Sequence, residues 1–314
     1  MTAICVENLV KTYKSGVQAL TGLSFTVNEG EIFALLGQNG AGKSTLINVL
    51  TTYLRPTSGS VSMFGKDIYR ETAEIRTYIS CVAQRTSIDT HLSLTENMIF
   101  QSKLYKIPKS EAKKRMELLV SYFGLERYLK YPVSSYSGGV RRRLDIALNM
   151  MTNPKVLFLD EPTVGMDIQS RIAMWDMMKK IRADFGTTIF LTTHYLEEAN
   201  QLCDTICIMK NGKEIIQDTP HALCEYLRQD MLEISFSSKE EAKSCLDYLK
   251  NVITLENSDL RHDKIITSLK NGRADLERAN HWLLDNGIPF LGIKIIGSNI
   301  EDVFIRLTAD KEAC

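Results

Sequence analysis

The stretch Gly37-Gln38-Asn39-Gly40-Ala41-Gly42-Lys43-Ser44-Thr45 carries the sharpest chemical signal in the chain. It reads G-x-x-x-x-G-K-S, directly after the apolar run Ile32 to Leu36 and ahead of Leu46, Val49 and Leu50 at helical intervals. Between a strand and a helix, such a loop leaves backbone N–H groups open to phosphate oxygens, and the helix start adds positive potential. Lys43 is expected to reach the outer phosphates of a nucleotide and Ser44 to ligate Mg²⁺.

A second element bears on the reaction. Val156-Leu157-Phe158-Leu159-Asp160-Glu161-Pro162 is an apolar strand ending in two carboxylates. Asp160 is expected to hold Mg²⁺ through water, and Glu161, one residue closer to the site, to polarise an attacking water. A kinase must keep water from the γ-phosphate, so this pair favours hydrolysis of ATP. A third element is Ser135-Tyr136-Ser137-Gly138-Gly139-Val140-Arg141-Arg142-Arg143-Leu144. Ser137, Gly138 and Gly139 at a helix start offer an anion a hydroxyl and bare amides. The phosphate loop has no need of it, which implies a second nucleotide approached from outside. Arg141 to Arg143 read as a solvated helix face rather than a nucleic-acid patch.

These residues need rigid elements behind them. Ile32 to Leu36, Ile79 to Val82, Val156 to Leu159, Thr188 to Leu191 and Ile206 to Met209 are short, branched-rich apolar runs. They suit strands buried on both faces, alternating with helices in an α/β sheet. Met98, Leu104, Met116, Leu119, Val120 and Phe123 fall at helical spacing within an insertion at about 86–137. After residue 220 the pattern restarts. Leu232, Ile234 and Phe236 alternate as a strand, and Ser238 with Glu241 forms a capping box ahead of a helix. Strands at 252–255 and 264–269, a helix at 275–284, a strand at 290–296 and a last helix follow. That β-α-β-β-α-β order is ferredoxin-like. Two domains are therefore expected, 1–220 and 221–314.

Composition narrows the classes. The 314 residues hold 38 Lys plus Arg against 38 Asp plus Glu, a net charge of zero, which argues against a nucleic-acid binder held by bulk charge. No run approaches the roughly 18 to 20 apolar residues of a membrane helix. Met1 to Glu7 lacks the basic start and apolar core of a secretory leader. The seven cysteines show no C-x-x-C spacing and read as free thiols of a reducing compartment.

In this order and company, the motifs over residues 3 to 220 resemble the ATP-binding subunits of ABC transporters. The resemblance implies a P-loop NTPase fold of the ABC ATPase type, with an N-terminal antiparallel β subdomain and a helical subdomain. A small α+β, ferredoxin-like C-terminal domain is added to it. The resemblance also assigns further residues. Gln84 matches the glutamine that contacts Mg²⁺ and the attacking water, Asp167 the D-loop aspartate, and His194 the switch histidine on the γ-phosphate. Tyr13 stands where an aromatic stacks on adenine, although core packing would serve it equally. Lys43, Gln84, Glu161 and His194 would act in catalysis, and Ser44, Gln84 and Asp160 around the metal. ATP would also touch Gly37, Asn39, Gly40, Ala41, Gly42, Thr45 and, from a second copy, Ser137, Gly138 and Gly139.

Departures from the common pattern point to a branch. Tyr136 and Val140 replace the usual Leu and Gln of the signature, while Gln38 stands where Pro is common. With three arginines following, and with Thr192-Thr193-His194-Tyr195 and Ile300 to Leu307, the chain looks like type 2 exporters, including daunorubicin-resistance-like drug exporters. The resemblance implies a homodimer or pseudo-dimer of ATP-binding subunits and a separately encoded membrane permease docked near Gln84. It implies a peripheral place on the cytoplasmic face of the membrane and no nucleic-acid partner. Two rivals stay open. An ABC-type ATPase of nucleic-acid machinery is disfavoured by the lack of coiled-coil or zinc-binding insertions. An ATP-dependent regulatory switch is disfavoured by the intact Asp160-Glu161 pair and His194.

Overall fold

The computed structural model describes residues 1–84, 86–226, 231–249, 256–269, 272–296 and 299–308. They fall into two compact units, Met1–Pro220 and His221–Cys314.

The first unit opens with β1 (Thr2–Thr12) and β2 (Gln18–Asn28), then β3 (Ile32–Gly37), α1 (Lys43–Leu50), β4 (Ser58–Met63) and β5 (Lys66–Asp67). α2 (Thr72–Tyr78) and β6 (Ile79–Val82) lead to three helices, α3 (Leu94–Leu104), α4 (Lys109–Tyr122) and α5 (Gly138–Met150). β7 (Val156–Asp160), α6 (Ile168–Phe185), β8 (Thr188–Thr193), α7 (Leu196–Leu202), β9 (Thr205–Lys210) and β10 (Lys213–Asp218) complete the unit. An antiparallel sheet runs in the order β2-β1-β4-β5, and a six-stranded sheet in the order β10-β9-β3-β8-β7-β6, parallel except for β10.

Every residue of β3 and β8 is buried, as expected of continuous apolar strands covered on both faces. Phe25 of β2 stacks on Phe33 of β3 with ring centres 5.4 Å apart, and Phe190 of β8 lies 5.1 Å from Phe33. This aromatic row joins the two sheets, and each pair adds about 1 kcal/mol beyond its burial. The parallel register brings the carboxyl ends of β3, β6, β7 and β8 to one edge, with Val82 opposite Leu159 and Asp160 opposite Thr192. Ligands bind at that edge of an open parallel sheet, where loops leave the strands.

α3 begins with a capping box. Ser93 Oγ accepts from Glu96 N while the Glu96 carboxylate accepts from Ser93 N. In the insertion Met98, Leu119, Val120 and Phe123 are buried and Met116 is half-buried. Leu104 departs from the expected apolar face: it ends α3 exposed at 61%, because the helix stops at Tyr105 before another turn can cover it.

In the second unit, α8 (Pro220–Tyr226) precedes β11 (Met231–Ser235), α9 (Lys239–Leu249), β12 (Glu256–Arg261), β13 (Lys264–Ser268), α10 (Gly272–Asp285), β14 (Gly292–Ile296) and α11 (Ile300–Thr308). The sheet runs β12-β13-β11-β14 with every neighbour antiparallel, the arrangement of a ferredoxin-like β-α-β-β-α-β unit. Leu232, Ile234, Phe236 and Ile265 form its core with Cys245 and Leu249 of α9 and Ala279 and Leu283 of α10. The strand expected at 252–255 lies outside the described residues. Ser238 Oγ accepts from Glu241 N, but the Glu241 carboxylate reaches Ser237 N rather than Ser238 N, so the capping box is offset by one residue. Among the described residues no helix is long and apolar enough to cross a membrane, and the described cysteines are free.

Candidate functional site

The loop from β3 into α1 is shaped by close backbone approach. A Cβ on Gly37 would sit 2.7 Å from the Met209 carbonyl oxygen, and one on Gly42 would sit 2.5 Å from that of Ala19. Gly42 also has φ 108°, a left-handed conformation that only glycine adopts cheaply. The chain thereby turns so that α1 starts at Lys43 with its first N–H groups directed out of the helix. Lys43 is buried, and its Nζ donates to the carbonyls of Gly37 at 2.7 Å and Gln38 at 3.2 Å. Burial lowers its pKa, while Glu161 and Asp160 act in the opposite sense. Gln38, Asn39, Gly40 and Ser44 are exposed, and Ala41 is buried.

Glu161 stands at the centre of a polar cluster. Its Oε1 lies 3.2 Å from His194 Nδ1 and 3.8 Å from Lys43 Nζ, and its Oε2 accepts from Gln84 Nε2 at 3.1 Å. Three of the residues singled out in the sequence, from three different loops, thus converge on one carboxylate. Glu161 has φ 45°, uncommon for a residue with a side chain. Its N–H is held by the Thr192 carbonyl and by Thr192 Oγ1, both at 3.1 Å. The same hydroxyl donates to Asp160 Oδ1 at 2.6 Å. Thr192 therefore fixes the Asp160 carboxylate and the Glu161 backbone, a role that the sequence motifs did not single out.

Tyr13 lies on another side of the loop, where its hydroxyl pairs with Thr45 Oγ1 at 3.1 Å. Its ring is 37% exposed, so it is not the core residue that was the alternative for it. Ser137 is the N-cap of α5 but makes no side-chain capping bond. Ser137, Gly138 and Gly139 line a cavity of about 350 Å³ whose wall includes Gln84, Glu161 and Asp167. The hydrogen bonds of the Glu161 cluster do not extend to this segment. Asp167 caps α6 through Ser170 N and Ser170 Oγ, both at 2.8 Å, and these bonds hold its pKa below the usual aspartate value.

The expectation for the arginine run is corrected. Arg142 is 5% exposed and donates to three carbonyls: Ala83 at 2.6 Å, Asp160 at 3.1 Å and Pro162 at 3.2 Å. Arg141 donates to the Tyr136 carbonyl and Arg143 to that of Phe123. Each arginine satisfies a loop that turns back on α5, and charge density along the sequence gave no sign of that. Glu198, also not singled out, is fully buried and accepts from Thr163 Oγ1 at 2.8 Å and Trp175 Nε1 at 3.1 Å. Burial raises its pKa against those bonds. The clue in the sequence was its place four residues after His194, on the inner face of a short helix.

The donor set suits a small hard dication. Ser44 and Asp160 offer oxygens, as does Gln84 through Oε1, since its Nε2 is engaged with Glu161. Oxygen ligands of this kind, completed by phosphates and water, are what Mg²⁺ takes.

Comparison with known proteins agrees with this geometry. A family model described as ABC transporter matches residues 20–164. The daunorubicin/doxorubicin resistance ATP-binding protein DrrA of Streptomyces peucetius is 39% identical over 98% of this chain and 92% of its own length. The linearmycin resistance ATP-binding protein LnrL of Bacillus subtilis is 34% identical over 96% of this chain and 97% of its own. Among solved structures, cbiO1 of Clostridium perfringens, part of a cbiONQ ABC transporter complex, superposes with a TM-score of 0.67. It is 30% identical and covers 71% of this chain and 90% of its own. A dimeric ATP-binding cassette in a post-hydrolysis state with ADP and phosphate gives a TM-score of 0.62 at 26% identity, covering 69% of this chain and 98% of its own. A phosphate loop, an acidic strand end and a signature segment in one fold, together with these relatives, place the chain in the ABC transporter family as an ATP-binding, ATP-hydrolysing subunit.

Proposed function

We propose that two copies of this chain, or this chain and a close homologue, enclose two ATP molecules head to tail and power an exporter. The observation that carries the reading is the Glu161 carboxylate set between Gln84, His194 and Lys43. ATP entering along the Gly37–Thr45 loop would draw Lys43 from its loop carbonyls to the outer phosphates, and would separate Lys43 from Glu161. Glu161 then takes a proton from water that Gln84 orients, and His194 contacts the γ-phosphate. Mg²⁺, held by Ser44, Asp160 and Gln84, would neutralise charge on the phosphates. Tyr13 stacks on adenine. Ser137, Gly138 and Gly139 face the γ-phosphate bound by the other copy, a use consistent with a Ser137 hydroxyl that caps nothing in its own helix. Asp167 lies at the same face and contributes to closure between copies.

The relatives named for drug resistance favour export, with a separate integral-membrane permease seated on the helical region near Gln84. Work on such a permease would place the chain at the cytoplasmic face of the membrane. The second unit, 221–314, serves as an accessory domain in contacts between copies.

Mixed dimers test the arrangement. One copy carries Ser137→Ala and the other Lys43→Ala, so that one of the two composite sites loses both groups and the other keeps both. Turnover no higher than half of wild type, but above that of dimers carrying either change on both copies, is expected from this pairing. Turnover as low as in dimers carrying either change on both copies would contradict sites shared between chains.

A further inference from the structure

Among the described residues, Arg142 is the one side chain that donates to the backbone on both sides of Glu161 and immediately before Gln84. Its Nη2 donates to the carbonyl of Asp160, its Nε to that of Pro162, and its Nη1 to that of Ala83. The first two bonds bracket the residue with φ 45°, and such backbone conformations persist where surrounding bonds over-determine them. The third fixes the peptide from which Gln84 departs. Arg142 itself rides on α5, one and a half turns from Ser137 and about 7 Å along the axis. Its side chain is almost wholly buried, and its only ion-pair partner within its own helix is Asp145, whose Oδ2 lies 3.6 Å from Nη1. Asp145 is 1% exposed, and that Oδ2 has no hydrogen-bond donor. A buried aspartate left this way costs stability, so retaining it makes sense if it holds the guanidinium in the pose that reaches all three carbonyls.

We propose that Arg142, oriented by Asp145, is a positioning residue that couples the Ser137-Gly138-Gly139 segment to Glu161 and Gln84 of the same chain. The proposal rests on the reading that the segment meets the γ-phosphate of a second copy. When that phosphate engages the N-terminus of α5, the helix moves as a rigid body, and the guanidinium carries the displacement to the peptides flanking Glu161 and Gln84. Each of the two sites then senses through α5 whether the other is filled. The chemistry of the coupling needs a planar fork with several donors, which lysine cannot supply.

Steady-state ATP hydrolysis by the full chain with Mg²⁺, combined with binding of a fluorescent ATP analogue, tests this. Arg142→Gln is expected to lower kcat by about 100-fold, the scale of a misplacement near one ångström, with nucleotide affinity changed by less than about 3-fold. Arg142→Lys is expected to lose about 10-fold or more, and Asp145→Asn about 5-fold. Added to Glu161→Gln, Arg142→Gln should lower the residual rate by less than about 3-fold, because it acts through the carboxylate already removed. Circular dichroism and thermal midpoints verify folding. If Arg142→Gln does not fold, the Arg142→Lys and Asp145→Asn rates decide. A folded Arg142→Lys with wild-type kcat overturns the coupling, as does a full multiplicative loss in the double variant. Mixed dimers that reveal no site shared between copies would overturn the reading on which the coupling rests, whereas a folded Arg142→Lys with wild-type kcat overturns the coupling alone, which separates the two failures.

Discussion

Asp145 in the first unit and Glu233 in the second are both carboxylates with little exposed surface, 1% and 9%, yet their pKa values move in opposite directions. Burial raises the Asp145 pKa from an ordinary 3.8 to about 6, and Arg142 offsets this only in part. For Glu233 burial also acts upward, but the hydrogen bonds from Lys264 and Lys294 outweigh it and hold the pKa below the ordinary value. The difference lies in what the cations are doing. Lys264 and Lys294 lie 3.0 and 3.3 Å from Glu233 Oε1. Arg142 is committed to three carbonyls that surround Glu161 and Gln84, and stands 3.6 Å from its own counterion. In the ATP-binding unit, charge is arranged for the site at the expense of the pair. In the C-terminal unit it is arranged for the pair.

The largest test of that contrast is turnover. Glu161→Gln removes the base and is expected to lower ATP hydrolysis by at least about 100-fold, the scale of general-base catalysis. Glu233→Gln, a chemically identical change at a carboxylate of similar burial, is expected to leave the rate within about 2-fold, since its partners are two lysines of its own sheet. A comparable loss from both changes would break the contrast, because it would tie the second unit's charges to hydrolysis.

A smaller effect separates the units by pH. A folded pKa raised from 3.8 to about 6 means that the Asp145 contribution to stability is complete below about pH 3.8 and is lost as pH rises through about 6. The ionised group then costs about 3 kcal/mol at neutral pH. Each unit holds one tryptophan, Trp175 in α6 and Trp282 in α10, so Trp282→Phe leaves a reporter for the first unit alone. In urea unfolding followed by Trp175 emission, the stability of Asp145→Asn relative to its parent should rise by about 2 kcal/mol between about pH 4 and about pH 7. Parallel pH curves for the two proteins would remove the basis for a costly Asp145.

How much of this was legible in the sequence follows the same division. Lys43, Asp160 and Glu161 sit next to glycines and apolar runs whose spacing fixes strand ends and a helix start, so local order alone announced them. The β-α-β-β-α-β order of the second unit was legible for the same reason, from alternation at Leu232, Ile234 and Phe236. Arg142 was not. Three arginines in a row look like a solvated face, and only the return of the Ala83 and Pro162 segments onto α5 buries the middle one. Glu198 escaped notice because its donors, Thr163 and Trp175, are 35 and 23 residues away in the chain. Leu104 failed in the opposite sense, being apolar at the expected interval but at the end of its helix. Periodicity reports which face a residue shares, whereas the fate of a buried charge depends on loops arriving from elsewhere.

The finest test concerns the sign at Glu233. Its pKa is lowered, so its contribution to stability is present above the ordinary glutamate value of 4.5 and is lost as pH falls through the lowered one. That is the reverse of Asp145. The effect should also be small, at most about 1 kcal/mol, because Lys264 and Lys294 are 42% and 62% exposed and water screens them. With Trp175→Phe, emission from Trp282 reports on the second unit. Glu233→Gln should then blunt its loss of stability in acid, and about 1 M salt should shrink the difference in the parent protein. If the second unit instead gained stability in acid through Glu233, burial would have overcome two lysines at hydrogen-bonding distance. The opposition between the two carboxylates would then follow from depth alone and not from the work assigned to their cations.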